Sequence, residues 1–152
     1  MRVYLPVTLD ELQGESPVRL APRAAHAVTP ALQAQWPDED EEGWEYAAQA
    51  AAADASLELL RDRPDAPRLR VVVAADVPEG AVRGHADVPV PSGVVVDVEV
   101  GVRQVVSVHV DEPEAAGDVA GVLRGDEESV ERLEDRDLLW YDVSEIGQIP
   151  AV

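Results

Sequence analysis

Val94-Val95-Val96-Asp97-Val98-Glu99-Val100 and Val105-Val106-Ser107-Val108-His109-Val110 decide the fold class of this chain. The first run alternates valine with Asp97 and Glu99, as a strand with one wet face does, and the second is again strand-like. Only residues 101–104 lie between them, too few for the crossover that parallel neighbours need. The direct passage from one valine run to the next therefore favours antiparallel pairing.

Upstream, Arg70 precedes Val71-Val72-Val73-Ala74-Ala75, a run apolar on both faces that predicts a central strand closed by Asp76 and Pro78. Residues 78–93 between these strands form a Pro/Gly-rich excursion. Downstream, Pro113 opens a helix that carries Val119, Val122 and Leu123 and ends at Gly125, and Asp126 caps a second helical piece through Leu133. Leu138-Leu139-Trp140-Tyr141 then reads as a compact apolar strand.

Toward the N-terminus, Val3, Leu5 and Val7 share one face of an opening strand, with Arg2 and Tyr4 on the other. Thr8-Leu9-Asp10-Glu11 fits a capping box, residues 16–23 read as loop, and Thr29-Pro30 has the cap-then-proline pattern of a helix start. The best-determined helix runs from Glu39 to Arg61, with acids at its first turn and arginine at its last, matching both ends of the helix dipole. Trp44, Ala48, Ala51, Ala55 and Leu59 lay one apolar stripe along it, and Pro64 and Pro67 prevent its continuation.

The order is strand, helices, strand, strand or hairpin, helix, strand. It predicts one α+β domain over residues 1–152, a ferredoxin-like split βαβ sandwich with a mainly antiparallel sheet and helices on one face. Its first and third core strands would sit in the middle. A small doubly wound α/β sheet is the alternative.

The chain contains no lysine, asparagine, cysteine or phenylalanine, so all 12 of its basic residues are arginine, against 31 Asp and Glu. The missing residues are largely those with AT-rich codons, as in a GC-rich genome. Absence of cysteine excludes disulfides, thiolate catalysis and cysteine-ligated metals, and absence of lysine excludes Schiff-base chemistry and a phosphate-loop lysine. The net charge of -19 repels phosphate backbones and anionic lipid, which disfavours nucleic-acid and membrane partners and leaves a basic protein open. Asp38 to Glu42 is an unbroken acidic run, read first as a solvated helix start. The opening Met1–Pro6 is unlike a secretory leader and no stretch approaches ~18 apolar residues, so a cytoplasmic location is expected.

Few residues offer chemistry. His85-x-Asp87 and His109-x-Asp111 share a spacing that on a strand turns both side chains to one face, as a metal or base-orienter pair requires, with His26 a third imidazole that could converge on them. The plainer readings are a polar residue on the wetter sheet face for His109 and a solvent-exposed loop imidazole for His85, and neither a metal nor a cofactor is expected. Trp44, Tyr46, Trp140 and Tyr141 suit a binding pocket or an interface, although core packing is the commoner use of Trp44 on its stripe and Trp140 in its strand. Arg2 and Arg70, each at the outset of a strand, could hold an anion or pair with the acidic surplus.

Taken together, Arg2 through Pro6, His26 through Leu32, Glu45 through Ala48, Arg70 through Pro78, Val108 through Asp111, and Leu138 through Tyr141 with Glu145-Ile146 resemble a family of small acidic proteins from high-GC actinobacteria with no assigned function. The resemblance spans almost the full length and implies a single domain in a GC-rich cytoplasm. It supplies no active site. The function expected from the residues is a non-enzymatic binding or protein-interaction module with an acidic surface, a homodimer or a docking site for a basic partner. The competing expectation is a small metal-dependent or hydrolytic enzyme built on His109 and Asp111.

Overall fold

The computed structural model describes residues 1–14, 17–84 and 90–150. Along the chain come β1 (Arg2–Val7), β2 (Arg19–Leu20), β3 (Arg23–His26), α1 (Pro30–Gln35), α2 (Glu41–Arg61) and β4 (Val71–Asp76). Then follow β5 (Val82–Gly84), β6 (Gly93–Val96), β7 (Val100–Gly101), β8 (Val105–Val110), α3 (Ala116–Leu123), α4 (Glu127–Glu134) and β9 (Leu139–Asp142). The fold is α+β, with a seven-stranded sheet in the order β5-β6-β3-β1-β4-β8-β9 and a small ribbon of β2 and β7.

Among the described residues every strand pairing is antiparallel. That excludes the doubly wound parallel sheet, and it departs from the split βαβ plan, whose two central strands run parallel. The valine runs that signalled antiparallel geometry do not pair with each other. Instead β6 joins β3 and β5, while β8 joins β4 and β9 on the far half of the sheet. The reason lies between them: Val100 and Gly101 leave the sheet to pair with Leu20 and Arg19, carrying the chain across one face. The same ribbon, with β3, accounts for strands in a segment whose prolines read as loop.

Local signals place the other elements. Thr8 and Glu11 form the expected capping box, with the Thr8 amide donating to Glu11 Oε2 at 2.9 Å. Thr29 Oγ1 accepts from the Leu32 amide to start α1, and Asp40 Oδ1 accepts from the Gly43 amide to start α2.

Both faces of the sheet centre are covered. On one, Val3, Leu5, Val7, Val71, Val73 and Val108 lie beneath Leu9, Leu20, Val100 and Ile149. On the other, Tyr4, Val72 and Ala74 meet Leu32 of α1 and Ala48, Ala52 and Ala53 of α2, whose short side chains admit a close approach. The buried face of α2 is turned from the expected stripe: Ala48, Ala52, Ser56 and Leu60 are inside, while Leu59 is exposed. Ser56 explains the rotation, because its hydroxyl donates to the Val7 carbonyl and accepts from the Val71 amide, fastening α2 across β1 and β4. A periodicity count of apolar residues cannot see a serine in that role. At the C-terminal end of α2, Leu60 and Ala66 cluster with Ala115, Val119 and Leu133 of the α3–α4 region. No helix among the described residues is long and apolar enough to cross a membrane.

Candidate aromatic groove

The face of α2 next to its buried one carries Glu42, Glu45, Tyr46 and Gln49, positions spaced three and four apart that share one side of a helix. The face of the sheet below carries Tyr4, Ala74, Ser107 and His109, brought into register by the pairs Tyr4↔Ala74 and Ala74↔Ser107. On β9, Trp140 lies opposite His109 and so points to the same side. Between helix and sheet these groups enclose a hollow of about 360 Å³ that also reaches Arg2. A second hollow of about 480 Å³ continues along α2, sharing Tyr46 and Gln49 and reaching Arg70, Arg136 and Leu138.

Two exposures decide how the groove is read. Tyr46 is 66% exposed and Trp140 61%, so neither ring spends its apolar surface on the core. Core packing, the commoner expectation for Trp140, fails because β9 is the outermost strand and turns Trp140 toward the open groove. Tyr141, the next residue, faces the opposite way and packs against the main core. Trp44 is partly buried beside Ala48 and its indole N–H donates to the Trp36 carbonyl at 2.9 Å, so it closes the start of α2.

Tyr4 is 5% exposed, and its ring borders the hollow beside Arg2. Burial, reinforced by the Glu45 carboxylate, pushes its phenol up from 10.0, so it stays protonated and can both donate and accept. Arg2 donates to Asp76 at 2.7 Å and its charge is matched there, as the acidic surplus suggested. Glu42 and Glu45 have no ion-pair partner among the described residues. The electrostatics of the groove are therefore set by carboxylates and aromatic faces.

Among the described residues, His26, His109 and Asp111 do not converge on one site. His109 Nε2 lies 3.0 Å from Ser107 Oγ, while Asp111 is consumed by a buried pair with Arg70 at 2.8 Å. The two side chains of the His-x-Asp spacing thus serve separate structural tasks. His26 shares the sheet face of His109 but stands on β3, with β1 and β4 between; three strand spacings separate their strands by ~14 Å, and His26 lies in the row of Ser107, not of His109. Its Nδ1 is 2.8 Å from Ser92 Oγ in a buried pair. Desolvation holds both imidazoles below their usual 6.5. His85 and Asp87 lie outside the described residues. Among the described residues no three His, Asp or Glu side chains are grouped to hold a metal ion.

Residues 1–149 match a family model. The chain belongs to DUF6912, a family of unknown function. No curated protein and no solved structure matches it. The groove residues missed in the sequence of this DUF6912 member, Tyr4, Glu42, Glu45, Gln49 and Ser107, carry no motif in common. Their meeting depends on the β1-β4-β8-β9 order and on which side of α2 Ser56 turns inward.

Proposed function

We propose that this protein is a non-enzymatic interaction module and that its groove between α2 and the β8–β9 edge is the binding site. The observation that carries this reading is the pair of exposed rings, Tyr46 and Trp140, bordering one hollow from opposite walls. Large amphipathic rings left in water lower the energy of any complex that covers them, and they are the residue types concentrated where interfaces hold most of their affinity. Of the groups that general acid and base work would need, Asp111 is tied to Arg70 and His26 stands on a distant strand, which supports binding over catalysis.

The acidity of the groove wall supports a basic protein as partner. Capture from a lysate of the native host, with wild-type and Tyr46→Ala/Trp140→Ala baits, tests the reading. A stoichiometric partner held by the wild type, lost by the double variant and weakened as salt passes about 0.15 M is the expected outcome, since screening then acts within ~8 Å. Equal recovery by both baits, or the bait alone at low salt, overturns it.

A further inference from the structure

We infer that the groove takes the cationic side chain of an extended basic peptide, whose backbone adds to the free edge of β9. The inference rests on the interaction-module reading and names its ligand. Three observations converge on it. Tyr46 and Trp140 offer open π-faces, the surfaces over which guanidinium and ammonium groups settle. Glu42 and Glu45, one turn apart on the wall above, lack ion-pair partners among the described residues and supply two negative charges against the one of Arg2, which Asp76 already engages. Finally, β9 ends the sheet, with β8 its only neighbour among the described residues, so its outer backbone groups are available to a further strand.

The edge is what selects a peptide over a free amine. A strand laid beside β9 sends every second side chain to the face that carries Trp140, and an arginine there reaches over the indole toward the Glu42–Glu45 wall. Charge selects against a second copy of this chain, because the net charge of -19 would bring like surfaces together.

The test uses the whole 152-residue chain labelled with nitrogen-15 and three probes: the pentapeptide acetyl-Thr-Val-Arg-Val-Thr-amide, the same peptide with citrulline in place of arginine, and N-acetyl-arginine amide. The arginine peptide is expected to shift the amides of β9 and of residues 42–49, to slow hydrogen exchange along β9, and to bind at least about tenfold more tightly than the citrulline peptide. Glu42→Gln/Glu45→Gln should weaken it about tenfold, and Trp140→Ala, on an exposed ring that leaves thermal stability unchanged, should abolish it. Equal binding of the citrulline peptide overturns the cation claim while the interaction-module reading stands. Equal binding of N-acetyl-arginine amide overturns the strand-addition claim. No shift in the groove with any probe at millimolar concentration overturns the inference, while the interaction-module reading stands or falls on the capture experiment.

Discussion

The Arg70 guanidinium holds the Asp111 carboxylate with two N–H donors, at 2.9 and 2.8 Å, and the Arg70 amide adds a third hydrogen bond at 2.8 Å to the same group. The Asp111 side chain is wholly buried and Arg70 is 10% exposed. The pair ties the start of β4 to the end of β8, so the two strands enter the sheet in a fixed register. It also removes from chemistry both an arginine and an aspartate that the sequence offered as ligands.

Removing one partner of such a pair strands the other charge away from water. Asp111→Ala should therefore lower unfolding free energy by about 3–5 kcal/mol. Replacing both, as Arg70→Met/Asp111→Leu, should cost much less than the two single changes added together. Urea unfolding of the four proteins, compared at equal m, checks this, and additive losses would contradict the account.

Ser56 provides the second expectation. Its hydroxyl is the partner of the Val7 carbonyl at 2.7 Å and of the Val71 amide at 3.0 Å, both buried. Ser56→Ala leaves these backbone groups without that partner in a place closed to water, at about 1–3 kcal/mol. Hydrogen exchange gives the local readout: the Val71 amide should lose protection in the variant before the neighbouring amides of β4 do. Unchanged protection at Val71 would show that the hydroxyl does not hold it.

What the sequence made legible follows from how local each signal is. Thr29 and Asp126 announce helix starts by residue type, and α1 and α4 begin directly after them, while the acidic first turn and the terminal arginine mark α2, which runs Glu41–Arg61. The all-apolar run Val71–Ala75 marks an inner strand because both of its sides must be dry, and β4 is buried between β1 and β8. Pairing is a different matter. Nothing in Val94–Val96 or Val105–Val110 specifies that β3, β1 and β4 will come between them. The groove was half legible: Trp140, Tyr46, His109 and Arg2 were singled out as residue types, but their meeting is a tertiary fact. The ring of Trp140 is wet because β9 has only one neighbour among the described residues, which no local pattern around residue 140 encodes.

Acid should weaken the fold in two stages. His26 and His109 are held below 6.5 by burial, so the unfolded chain takes up protons there more readily than the folded one. Their contribution is complete above 6.5 and is lost as pH falls through that value toward the depressed folded ones. Glu11 acts lower down. Burial pushes its carboxyl up, but hydrogen bonds from Arg23 and from the Thr8 amide outweigh it and bring the net value below 4.5. Its contribution is therefore intact above 4.5 and disappears as pH falls further. Thermal midpoints across the acid range should show both stages in the wild type. In His26→Gln/His109→Gln the upper stage should flatten while the lower one stays, and a slope unchanged below 6.5 would refute the assignment.

The contact between α3 and α4 gives the last expectation. Gly121 is buried where the helices touch, and a side-chain carbon built on it would stand 2.7 Å from Ser129 Cβ, closer than two carbons can pack. Ser129 cannot swing away cheaply, because its hydroxyl donates to Asp126 Oδ2 at 2.6 Å and accepts from Arg132 at 3.1 Å. Arg132 in turn donates to Asp118 of α3 at 2.7 Å, so parting the helices strains that ion pair as well. Gly121→Ala should then destabilise by about 1–3 kcal/mol, despite the better helix propensity of alanine. Removing the obstructing carbon is the decisive control. In the Ser129→Gly background the nearest remaining atom is Asp126 Oδ2 at 3.6 Å, an ordinary contact, so the added methyl should cost little or even stabilise. A Gly121→Ala penalty of the same size in both backgrounds would place its origin outside the α3–α4 contact.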